Sequence, residues 1–152
     1  MIYDKLLKIN ENIMHKAKAL VITCMDFRFQ NAIRGYLKKN GILGDCDRIV
    51  IAGGSRDFVC PVKPQFSSYV WTQLELSLKL HDPKEVIVID HQDCGGYAQD
   101  GKIPKGVSKD KDEKGHIKVF VKFKKLFNAK YPLKPIRFLY ISLDGIIEEV
   151  IV

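Results

Sequence analysis

Apolar residues fall along this chain in two rhythms. The first is the short unbroken run: Ala19-Leu20-Val21-Ile22, Ile49-Val50-Ile51-Ala52, Val86-Ile87-Val88-Ile89, and a fourth between Ile136 and Ser142. Runs of this length, rich in branched residues, predict strands buried on both faces, as in a parallel sheet. The second rhythm has helical spacing. Phe29, Ile33 and Leu37 form a stripe that stops at Gly41, and Phe66, Val70, Leu74 and Leu78 form another that ends at His81-Asp82-Pro83. Val119, Phe120, Phe123, Leu126 and Phe127 mark a strongly apolar helix face, read as core. Ile2, Leu6, Ile9 and Ile13 predict an amphipathic helical arm within residues 1–18.

Between these elements, residues 100–115 are polar, lysine-rich and hold three glycines, which predicts a mobile loop. Asp144-Gly145 between apolar runs is a hairpin signal, so Ile147–Val152 is expected to run antiparallel at the sheet edge. Strands alternating with helices give an α/β fold: a four-stranded parallel sheet with helices on both faces plus an antiparallel C-terminal edge strand. No internal repeat or second domain emerges, and one domain over residues 1–152 is expected.

Composition narrows the class. At 152 residues and 46% hydrophobic content, the chain reads as an ordinary globular protein. No apolar run approaches the ~20 residues of a membrane span. Asp4, Lys5, Lys8 and Glu11 stand where a signal peptide needs an apolar core, so a cytoplasmic location is expected, without a membrane partner. Four cysteines in that setting argue against a disulfide framework, and Cys46 and Cys60 read as space-filling residues. The net charge of +7 is uneven: residues 101–135 hold eleven Lys against three acids. That segment lacks interleaved exposed aromatics and any nucleic-acid motif, so it reads as a solvated face and no nucleic-acid partner is expected.

The candidate chemistry sits where the strands stop. Val86–Ile89 runs into Asp90-His91-Gln92-Asp93-Cys94-Gly95-Gly96, which places an imidazole and a thiol at a spacing that can share one borderline cation. Alone, His-x-x-Cys is a weak signal. A second run ends in Thr23-Cys24-Met25-Asp26-Phe27-Arg28, with a thiol followed by a carboxylate and a guanidinium. A third ends in Gly53-Gly54-Ser55. Ligands of open α/β sheets bind outside the carboxyl ends of the strands, so one shared site is the economical reading.

Cys24-x-Asp26-x-Arg28, Ala52-Gly53-Gly54 and His91-x-x-Cys94-Gly95, in that order, resemble the motifs of the β-class carbonic anhydrases. The resemblance extends to Leu74–Leu78 and Leu143-Asp144-Gly145-Ile146, and so covers most of the chain from Ala19 onward. It departs at Val50 and Ile51, where that family usually has Arg-Asn, and at Arg56-Asp57, which follow instead. Arg56 is a candidate to replace the missing polar group near Gly54.

The resemblance implies zinc held by Cys24, His91 and Cys94, with Asp26 and Arg28 as the catalytic pair and Gly53 and Gly54 against the substrate. Two thiolates and one imidazole leave a tetrahedral position open, where bound water becomes acidic enough to supply hydroxide. Carbon dioxide would then be hydrated to bicarbonate, with Arg28 orienting Asp26 and Asp26 orienting the hydroxide. Freed from Arg28, Asp26 could close the fourth position itself. The family also implies a homodimer or larger homo-oligomer, with the arm against a partner subunit.

Two alternatives stand beside this. The same zinc site could serve another small linear substrate, carbon disulfide or carbonyl sulfide, which the loss of Arg-Asn would suit. A non-catalytic zinc-binding or regulatory protein could also keep the scaffold, although the intact set of five residues speaks against decay. His15, His81 and His116 lack ligand spacing and read as surface or packing residues.

Overall fold

The computed structural model describes residues 16–152. The helical arm, with Ile2, Leu6, Ile9, Ile13 and His15, therefore lies outside the described residues apart from its last three positions. Among the described residues five strands form one sheet: β1 (Ala19–Cys24), β2 (Cys46–Ile51), β3 (Glu85–His91), β4 (Ile136–Ile141) and β5 (Ile147–Val150), in the order β2-β1-β3-β4-β5. The first four are parallel, and β5 pairs antiparallel with β4, as the Asp144-Gly145 turn predicts. Every residue of β1 is buried, and so is β3 after its first position. That explains their lack of polar alternation.

The period of two sorts their side chains into two cores. Leu20, Ile22, Val86, Val88 and Phe138 face one side, where α2 (Arg56–Val59), α3 (Pro64–His81) and α5 (Lys109–Lys130) bring Phe58, Val70, Leu74, Phe120, Phe123 and Phe127. Val21, Ile87, Ile89 and Leu139 face the other, against Ile33 and Leu37 of α1 (Gln30–Lys39). Helices thus cover both faces. Leu126, expected on the core stripe of α5, is instead about half exposed.

Stop signals act where they stand. Pro64 occupies the first turn of α3, where its missing N–H costs nothing. The helix ends with Asp82 in the left-handed region (φ 37°) before Pro83, and the Asp82 carboxylate pairs with Lys134 Nζ at 2.9 Å.

The segment expected to be a loop over residues 100–115 is one only in part. α5 begins at Lys109, so its first two turns lie inside that segment. The polar composition there conceals an inner face, because Asp112 and His116 are buried as partners of one another. Gly115 is tight against the chain before it: a Cβ would lie 2.7 Å from Ile103. Cys46 and Cys60 are half-buried beside apolar clusters, and burial pushes both thiols up. His81 is partly exposed and holds Asp47 through Nδ1 at 2.7 Å.

Candidate metal centre

Parallel pairing in register brings the ends of β1, β2 and β3 to one edge, with Cys24 beside Ile51 and Thr23 beside Ile89. The chain leaves β3 through a turn that carries Cys94 to the start of the single-turn helix α4 (Gly95–Ala98). As a result Cys24 Sγ, His91 and Cys94 Sγ, separated by up to 70 positions, offer ligand atoms all within 4.8 Å of one another. All three residues are buried.

The donor set fits a borderline cation. His91 Nδ1 faces the Gln92 carbonyl at 2.8 Å, which assigns the ring proton there and leaves the Nε2 lone pair free. That Nε2 is buried without a hydrogen-bond partner, an arrangement costly unless something else fills it. The Phe29 ring stacks on His91 with centroids 4.3 Å apart and fixes the imidazole plane.

The sulfurs lie 3.8 Å apart, within hydrogen-bond reach and not joined as a disulfide, and the Gly53 N–H donates to Cys24 Sγ at 3.4 Å. The hydrogen bond from Cys94 outweighs burial and, with His91, pulls the Cys24 thiol down to about 4. The same bond, together with burial, pushes Cys94 up. Burial resists a charge on His91, yet the Cys24 sulfur wins and raises it.

Asp26 and Arg28 flank this cluster. Arg28 Nε lies 3.0 and 3.1 Å from the two Asp26 oxygens, and Nη2 lies 2.7 Å from Oδ2, a bidentate fork. The hydrogen bonds from Arg28 lower the Asp26 carboxyl below its ordinary value. Gln30 Nε2 donates to the carbonyls of Cys24 and Asp26, and so pins the turn between them. Arg28 also reaches the Asp93 carbonyl at 3.2 Å, which links the two ligand-bearing turns.

Gly53 and Gly54 lie at the same edge, both at positive φ. A Cβ on Gly54 would stand 2.3 Å from Asp90 Oδ1, so its bare face admits that buried carboxylate. Arg56 runs beside Gly53 but is not free. It is buried, pairs with Asp57 at 2.9 Å and donates to the Gly96 carbonyl, so its guanidinium is already committed.

Several supporting residues escape sequence reasoning. Phe29 reads as a core position, and nothing marks it as the platform of His91. Asp90 accepts from Ser55 N at 3.0 Å, Ser55 Oγ at 2.5 Å and Tyr97 Oη at 2.8 Å. The one available signal was Asp90 itself, a carboxylate closing an apolar strand.

An open α/β sheet with a buried thiol–imidazole–thiol cluster at its strand ends, flanked by a carboxylate–guanidinium pair, defines a protein of the β-carbonic anhydrase fold. Residues 14–151 match the family described as "Putative carbonic anhydrase", and the chain belongs to that family. An uncharacterised protein of Rickettsia bellii is 26% identical over 137 residues, covering 90% of this chain and 84% of its own. The β-carbonic anhydrase CcaA superposes with a TM-score of 0.59 at 14% identity, covering 97% of this chain and 92% of its own. The β-carbonic anhydrase CafA of Aspergillus fumigatus gives 0.56 at 16% identity, covering 98% and 82%. One of two tetrameric β-carbonic anhydrases of Sordaria macrospora gives 0.53 at 15% identity, covering 88% and 80%. At these identities the solved structures share the fold.

Proposed function

We propose that this chain is a zinc-dependent carbonic anhydrase that interconverts carbon dioxide and bicarbonate, with Cys24, His91 and Cys94 holding the ion. The observation that carries the reading is the buried, unpartnered Nε2 of His91 in a cluster whose ligand atoms lie within 4.8 Å of one another, with Asp26 Oδ2 only 3.8 Å from that nitrogen. Bound zinc would supply Lewis acidity that makes water a nucleophile near neutral pH. The chain's own residues do the rest. Asp26, ionised and acceptor-only, takes a hydrogen bond from the attacking oxygen and turns its lone pair toward the carbon. Arg28 keeps that carboxylate in one orientation. Gly53 and Gly54 form the wall against which the substrate lies. Addition of water to carbon dioxide gives bicarbonate and one proton, which leaves to solvent.

The protein is proposed to work in the cytoplasm as a homodimer or larger homo-oligomer. Met25 and Phe27, 62% and 86% exposed on either side of Asp26, support this, since a second copy would cover these apolar side chains beside the site. Metal content measured together with stopped-flow carbon dioxide hydration tests the function. One zinc per chain without hydration overturns the catalytic reading.

A second reading keeps the metal and changes the substrate to carbon disulfide or carbonyl sulfide. It draws on Val50 and Ile51, which put apolar residues where β2 ends beside the glycine turn. Faster turnover of either sulfur compound than of carbon dioxide would favour it.

A further inference from the structure

His116 projects from α5 into the protein between two carboxylates, with no exposed surface. Its Nδ1 is 3.2 Å from Asp90 Oδ2. Its Nε2 is 3.3 Å from Asp112 Oδ1, off the line of a hydrogen bond, so that contact is ionic. Tyr97 at 4.4 Å, Tyr140 at 5.5 Å and Phe120 at 6.3 Å between ring centroids complete its surroundings. Burial pulls the imidazole down, but Asp112 and Asp90 outweigh it and push its pKa up to about 9. A buried cation between two buried anions is a strong positional constraint, because displacing any member leaves a charge unpaired in a dry interior.

The two carboxylates reach the two ends of the ligand turn. Asp90 immediately precedes His91 and is itself tied to the glycine turn through Ser55. Asp112 Oδ2 accepts the N–H of Asp93, the residue before Cys94, at 3.0 Å, while its Oδ1 takes Tyr140 Oη at 2.7 Å. Asp93 stands in the left-handed region (φ 57°) without being glycine, so this turn needs outside support. The same Asp93 offers its carbonyl to Arg28 and its carboxylate to the Gly106 N–H. A shift of Asp93 would therefore disturb Cys94 and Arg28 together.

We propose that His116 is a positioning residue of the metal centre: by bridging Asp90 and Asp112 it fixes both ends of the turn that carries His91 and Cys94. This rests on the metal reading above, and goes beyond it in assigning the preorganisation of the site to a residue that touches neither metal nor substrate. Partners behind metal ligands are typically worth 10–100-fold in metal affinity.

The test begins with the metal-free parent, in which the Asp93 amide should be as protected from hydrogen exchange as the amides of β3. His116→Gln, which cannot carry the charge, should then bind zinc 10–100-fold more weakly against a chromophoric chelator. Its cobalt(II) form should show shifted thiolate charge-transfer and ligand-field bands. Phe123→Leu, two turns further along the same helix and with no polar contact to the turn, should lower the thermal midpoint yet keep the parent's affinity and spectrum. Free exchange of the Asp93 amide in the metal-free parent overturns the proposal, and decides it even where His116→Gln does not fold. So does a folded His116→Gln with the parent's affinity and spectrum, or an equal loss in Phe123→Leu. A parent that takes up no zinc overturns the metal reading and this role with it. That failure is distinguishable, because Asp93 protection is measured without metal.

Discussion

Asp26 and His91 approach to 3.8 Å, carboxylate oxygen to Nε2, without a hydrogen bond between them. Asp26 is turned instead into the fork of Arg28, and Arg28 is turned back by the carbonyl of Asp93. The carboxylate thus stands beside the candidate ligand atoms without being one of them. That relationship is the one the proposed reaction needs.

Removing the guanidinium should expose the difference. Arg28→Ala is expected to keep zinc yet lose ~10²–10⁴ in hydration rate, because the freed carboxylate can turn toward the cation and no longer orients the nucleophile. Asp26→Ala is expected to keep zinc as well, with a loss of the same order. Metal analysis and stopped-flow hydration on both variants check this. Parental rates in both would reduce the pair to a structural ion pair.

Loss of one sulfur should be felt in folding as well as in the metal. Cys94→Ser is expected to drop from about one zinc per chain to well below that, with a lower thermal midpoint than the zinc-loaded parent, since ligand binding is coupled to folding. Full occupancy in this variant would remove Cys94 from the ligand set.

Gly96 is a steric requirement. A Cβ there would meet Gly53 N at 2.5 Å and Gly53 Cα at 2.6 Å, both rigid backbone, while φ at Gly96 is ordinary. Gly96→Ala should therefore cost about 1–3 kcal/mol, the range for overpacking, and should weaken zinc binding by pushing the turn of Cys94 away from the glycine turn whose Gly53 N–H holds Cys24 Sγ. Denaturant unfolding checks the first and chelator competition the second.

His116 sets a pH dependence whose sign follows from its environment. Asp112 and Asp90 face it, Tyr97 and Tyr140 pack around it, and its pKa stands at about 9 against the ordinary 6.5. A raised folded-state value means the contribution to stability is complete below pH 6.5 and is lost as pH climbs through 9. The shift corresponds to about 3 kcal/mol. The stability difference between the metal-free parent and His116→Gln should accordingly shrink over that interval, and a constant difference would show His116 to be neutral in the fold.

Assembly supplies the last expectation. The protein should sediment and scatter light as a dimer or larger at micromolar concentration. Phe27→Asp should shift it toward monomer by placing a charge on the exposed apolar rim beside Asp26. A parent that is monomeric and fully active would leave that rim without a partner.

The amino-acid sequence by itself determined where the strands fall and which polar residues close them. Buried parallel strands are written as local apolar runs, and a turn to polar residues marks where each stops. Cys24, Asp26, Arg28, His91 and Cys94 were legible for that reason. So was the antiparallel edge strand, since Asp144-Gly145 acts over a few residues. The tertiary structure alone decided what supports them. His116 sits 26 positions from Asp90, in a segment whose lysines and glycines read as loop, and its burial depends on that distant carboxylate as well as on Asp112 one turn back along the same helix. Arg56 looked available from its position but is consumed by Asp57 and the Gly96 carbonyl. Hydrophobic periodicity reports which residues leave water because they are apolar. It is silent about polar groups that leave water because a partner of opposite charge waits inside, and those groups hold the turns of this site in place.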